Sequence, residues 1–103
     1  MPEANNGAGI FSSIQSPSTV YNGQVTLTGT PAVNALAAAT TIKSVTIENV
    51  STNATVYVGN ATVTIANGYA LRPGATISLD IDSLSKVYVI GTAGNIVTYI
   101  AVN

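Results

Sequence analysis

Two carboxylates, Asp80 and Asp82, stand two residues apart in a run that alternates Ile77, Leu79 and Ile81 with Ser78, Asp80 and Asp82. On a strand, that spacing puts both carboxylates on one side. A pair so placed could bind a hard cation or divide acid and base duties. Calcium, however, takes roughly six to eight oxygens, and no acidic loop surrounds this pair. We read it as a solvated strand face whose negative charge discourages edge pairing. Lys43-Ser44 has the composition of a Ser–Lys dyad, which needs a desolvated amine within hydrogen-bond reach of the hydroxyl. Neighbours in a strand point to opposite faces, so these two do not meet.

Five tyrosines, Tyr21, Tyr57, Tyr69, Tyr88 and Tyr99, could form an aromatic platform for a sugar or a base. Tyr57, Tyr88 and Tyr99 fall inside strand patterns, where the ordinary use of a ring is cross-strand packing. Asn49-Val50-Ser51, Asn53-Ala54-Thr55 and Asn60-Ala61-Thr62 are glycosylation sequons, expected by chance in a chain so rich in Asn, Ser and Thr. The 103 residues include no Cys, His or Trp. Disulfides, thiolate and imidazole chemistry, and Cys/His metal sites are therefore excluded. Three cations cannot supply the clustered charge that phosphate neutralisation needs. The sequence thus offers no catalytic residue, no cofactor-binding residue and no metal ligand. The expectation is a non-enzyme that binds neither nucleic acid nor membrane.

The elements that must carry these residues read as β throughout. Gln24 to Thr28 alternates after an Asn22-Gly23 turn signal, with Val25 and Leu27 on one face. Ile42 to Val50 puts Val45 and Ile47 inward, Thr46 and Glu48 outward. Thr55 to Val58, Thr62 to Ile65, Ala75 to Ile81, Lys86 to Ile90 and Ile96 to Val102 are further strands. Ile10 to Ile14 is a short candidate. Arg72-Pro73-Gly74 suits a type II turn. Residues 32–39 allow one turn of helix or a packed loop. Val56-Tyr57-Val58-Gly59 and Val87-Tyr88-Val89-Ile90-Gly91 look alike, as strands commonly do. Eight or nine short strands spaced about ten residues apart imply an all-β antiparallel sandwich, jelly roll or small barrel. Residues 1–14 are expected to be a flexible N-terminal arm and 15–103 a single β-sandwich domain.

The low charge is the most informative number. Only 7% of residues are charged, against about 25% in an ordinary domain. Glu3, Lys43, Glu48, Arg72, Asp80, Asp82 and Lys86 are all of them. No apolar run approaches the roughly 20 residues of a spanning helix. The start, Met-Pro-Glu-Ala-Asn-Asn-Gly, shows no basic flank before an apolar stretch, so no secretory signal is expected and synthesis is placed in a cytoplasm. A surface of Thr, Ser, Asn and Ala costs little to immobilise against another surface and needs no ion-pair partner. Lys and Glu are depleted at protein contacts in general. This chain is expected to sit in an assembly.

The blocks Ile42-Lys43-Ser44-Val45-Thr46-Ile47-Glu48, Asn53 with Val56-Tyr57-Val58-Gly59, Gly68-Tyr69-Ala70-Leu71-Arg72-Pro73-Gly74, Ile77-Ser78-Leu79-Asp80, Leu84 with Val87-Tyr88-Val89-Ile90-Gly91, and Val97-Thr98-Tyr99 follow one another in that order. This succession, a little over half the chain, resembles small virion-associated proteins and domains of bacteriophages and related viruses. The resemblance implies a compact, non-enzymatic β-module on a capsid or tail, with no catalytic residue to carry over. A capsid decoration (cement) protein in the virion is the leading expectation. Its partners would be the major capsid protein or other virion proteins, and it would be a homo-oligomer, with a trimer favoured because shells offer three-fold sites. A tail or spike subunit and a carbohydrate-binding or adhesin module are the alternatives.

Overall fold

The computed structural model describes residues 18–103; the arm expected at 1–14 and the strand expected at Ile10 to Ile14 lie outside the described residues. The chain is all-β. Among the described residues eight strands follow in order: β1 (Val20–Thr26), β2 (Asn34–Ala35), β3 (Ser44–Asn49), β4 (Val56–Gly59), β5 (Tyr69–Leu71), β6 (Thr76–Asp80), β7 (Tyr88–Ile90) and β8 (Ile96–Val102). They form two four-stranded sheets, β1-β8-β3-β6 and β2-β7-β4-β5, in which every pairing is antiparallel. One sandwich-like domain results, as the spacing of β-branched runs and turn signals predicts.

The pairing has a simple logic. β1 pairs β8, β2 pairs β7, β3 pairs β6 and β4 pairs β5. These are the nested pairs of one long hairpin with β4 and β5 at its tip. Wrapping that hairpin over itself brings β3 beside β8 and β4 beside β7. Among the seven connections, only β4 to β5 stays within a sheet.

Period-two alternation positions the core. β3 buries Val45, Ile47 and Asn49 and turns Thr46 and Glu48 outward. Val25, Val97 and Ala101 come from the same sheet, Leu27 follows just after β1, and Val56, Val58, Leu71 and Val89 come from the other sheet. Ile42, Leu84 and Val87, outside the strands, complete the core. The Arg72-Pro73-Gly74 turn forms as expected, with Gly74 at φ +81° and the Ala75 amide donating to the Arg72 carbonyl at 2.9 Å.

Several expectations need correction. Asn22-Gly23 is not a turn. β1 runs straight through it, pairing Asn22 with Ile100 and Gly23 with Tyr99. The Tyr99 ring lies across Gly23, so close that a Cβ there would come within 2.7 Å of the phenol oxygen. The glycine makes room for a ring and does not reverse the chain. Thr62 to Ile65 is not a strand but part of a loop. The Asn60 Oδ1 accepts from the Thr62 amide and hydroxyl, and the Asn67 Oδ1 accepts from the Thr64 amide at 2.7 Å. These side-chain bonds outcompete ladder formation. The strand that pairs β4 is instead Tyr69–Leu71, after the loop. Of the two alternatives for residues 32–39 the packed loop holds: Leu36 is buried, Asn34–Ala35 adds a two-residue strand, and no helical turn forms. β7 begins at Tyr88, because Leu84–Lys86 forms a 3-10 turn capped by the Ser83 side chain.

Candidate functional site

The short strand β5 leaves one flank of the sandwich open. β5 has three residues where β6, the edge of the other sheet on that side, has five. Ile77 and Leu79 on β6, and Ile81 just beyond it, face inward yet stay only half-buried. Together with Val58, Tyr69 and Val87 they line an apolar groove of about 400 Å³, with Lys86 at its rim. Tyr69 stands at the lip, 59% exposed. The free edge of β6 runs along the same flank, because β6 pairs only with β3 among the described residues. Backbone donors and acceptors beside an uncovered apolar row can take up an extended peptide as an additional strand.

The carboxylates flank this groove without forming a site of their own. Asp80 ends β6 on the outward side, opposite Ser44. Asp82 lies past the strand and pairs with the Lys86 ammonium at 2.8 Å. That hydrogen bond, and then the charge of Lys86, hold the Asp82 carboxyl below its ordinary value. Among the described residues, no group of three or more His, Cys, Asp or Glu side chains could hold a metal ion. Lys43 is exposed just before β3 and Ser44 opens the strand half-buried.

The five tyrosines divide among three places. Tyr21 and Tyr99 pack against the core. Tyr57 pairs with Ile90 and Tyr88 with Gly59, which places both rings half-buried on the outer face of the second sheet. Only Tyr69 belongs to the groove.

The outer face of the first sheet is a different surface. Cross-strand rows read Asn22, Ile100, Thr46, Ser78 and Gln24, Thr98, Glu48, Thr76. Thr46 and Ser78 share a hydroxyl hydrogen bond of 2.8 Å. Glu48 and Asp80 are the only charges on these four strands, and Val20 and Ile100 are exposed apolar side chains beside the hydroxyls.

Asn49 is a residue whose structural role the sequence does not reveal. It lies in the strand expected over Ile42 to Val50 and is fully buried. Its Nδ2 donates to the Ala54 and Leu71 carbonyls, both at 2.8 Å, and its Oδ1 accepts from the Ser51 amide at 2.9 Å. A lone polar residue continuing the inward row after Val45 and Ile47 was the available signal. Among the described residues, no helix is long and apolar enough to cross a membrane. No family model matches the chain, and no curated protein matches it either.

Proposed function

We propose that this chain is a non-enzymatic structural protein of a virion, a capsid decoration (cement) protein that binds the shell as a homo-oligomer, with a trimer favoured. The observation that carries the reading is the outer face of the first sheet. Its rows are Thr, Ser, Asn and Gln, with Val20 and Ile100 exposed among them, two carboxylates and no cation. Such short neutral side chains lose little entropy on docking and leave few charges to desolvate. A hydroxyl- and amide-bearing face can therefore lie against a shell and bridge neighbouring capsomers. The mechanism is mechanical: surface buried between copies and capsomers raises the cost of separating them.

The nested hairpin pairing supports a jelly-roll reading of the sandwich. Viral capsid and lectin domains share that architecture, so it does not choose between them. The division of the tyrosines among three places weighs against one five-ring sugar platform. A tail or spike subunit uses the same surface logic and differs in the shape of the assembly.

Co-sedimentation tests the proposal. Purified chain is mixed with virus particles lacking it. Saturable pelleting at a fixed ratio to the capsid protein, with raised particle heat resistance, is expected. Chain left in the supernatant, together with binding on a glycan array, would overturn the reading in favour of an adhesin.

A further inference from the structure

We infer that the β6 edge and its apolar groove receive residues 10–14 of a second copy as an added strand. The proposal deepens the oligomeric part of the reading above and rests on it.

The groove needs a particular kind of occupant. Ile77, Leu79 and Ile81 repeat every second residue along one edge and are left half-exposed. A strand laid beside β6 would present its own alternate residues to the same groove. Ile10-Phe11-Ser12-Ser13-Ile14 is as long as β6 and carries no charge. With Ile10, Ser12 and Ile14 facing the groove, both isoleucines join the apolar row, while Phe11 and Ser13 face outward. A second copy's β6 is the poorer occupant, because it would bring another Asp80 and Asp82 to the flank.

Chain length assigns the segment to another copy. Ser18 donates to the Asn103 carbonyl at the start of β1, the edge of the first sheet opposite β6. A strand added beyond β6 lies four inter-strand steps from β1, about 19 Å. The four residues from Ser18 back to Ile14 span at most about 14 Å when fully extended. Ile14 therefore does not reach the groove of its own molecule. Donation from the β1 side of one copy to the β6 side of the next is a head-to-tail contact, which closes into a ring when the rotation allows.

Cross-linking tests this on the full-length chain, which has no native cysteine. Ser13→Cys chains are mixed with Ser78→Cys chains and treated with a short bis-maleimide that tolerates a two-residue register slip. Ser78 lies on the outward side of β6, as Ser13 would on the added strand. A docked pair holds the thiols at millimolar effective concentration, so the mixed product should form about a thousandfold faster than between free micromolar chains. Adding Leu79→Lys to the Ser78→Cys chain should abolish that gain, with circular dichroism confirming the fold. Three results would overturn the proposal: mixed product at the free-collision rate, linkage of Ser78→Cys chains mainly to themselves, or closure within one chain of a Ser13→Cys/Ser78→Cys double variant. Particle co-sedimentation of the same chains is scored separately. Retained binding without cross-linking removes the arm exchange alone, and cross-linking without binding removes the capsid assignment alone.

Discussion

The Asn49 side-chain amide donates to the Leu71 carbonyl at 2.8 Å, tying β3 of one sheet to β5 of the other through a fully buried hydrogen bond. The same nitrogen holds the Ala54 carbonyl, while the amide oxygen receives the Ser51 N–H. The Asn49 backbone also grips the 74–75 turn, donating to Ala75 and accepting from Gly74. One residue therefore fixes three segments at the end of the sandwich.

Asn49→Leu keeps the branched shape and heavy-atom count but strands two carbonyls and one amide, and its methyls crowd a fully buried site. A loss of about 2–4 kcal/mol is expected, read from the denaturant midpoint. A loss below about 1 kcal/mol would mean that the three groups find other partners.

Gly23→Ala has an unusual expected sign. In an ordinary strand the change helps, because it restricts the unfolded chain. Here the new methyl meets the Tyr99 ring, and a loss of about 1–2 kcal/mol is expected. In a Tyr99→Ala background the same substitution should become neutral or stabilising. An unchanged effect in both backgrounds would show that the ring is not the obstacle.

Asn67→Ala removes the acceptor for the Thr64 amide. The loop at 60–68 should loosen, with hydrogen exchange at the Thr64 amide accelerating about fivefold to tenfold for a bond worth about 1 kcal/mol. Exchange as slow as in the parent would assign the loop's order to Val63, which is buried against Gly59 and Gly68.

Asp82 supplies the pH prediction. Lys86 depresses its carboxyl in the folded chain. Any stability it contributes is therefore present above the unfolded value and lost as pH falls through the folded one. The pair is exposed, so the effect on unfolding should be small. The direct readout is the side-chain carbon shift of Asp82, whose midpoint should lie below 3.8 and rise toward it in Lys86→Met. A midpoint that Lys86→Met leaves in place would contradict the ion pair.

The alternation of Val45 with Ile47 and of Ile77 with Leu79 made the sheets legible, because burial on one face imposes period two. The Pro73-Gly74 turn was legible because its geometry is written locally. Asn22-Gly23 misled because a tight-turn signal is also local, while the ring that occupies the space over Gly23 arrives from residue 99. Thr62 to Ile65 misled because β-branched composition carries no information about the Asn60 and Asn67 carbonyls that hold those amides elsewhere. The groove was hidden for another reason. It exists because β5 is shorter than β6, and strand ends are set by tertiary pairing as much as by propensity.

The proposal requires that the weakly charged outer face of the first sheet be covered by copies and by a shell. Sedimentation velocity of the full-length chain across a wide concentration range tests it most directly. A single closed oligomer, of trimeric mass by preference, is predicted to persist to low micromolar concentration. A soluble monomer at the highest concentrations reached would contradict the claim.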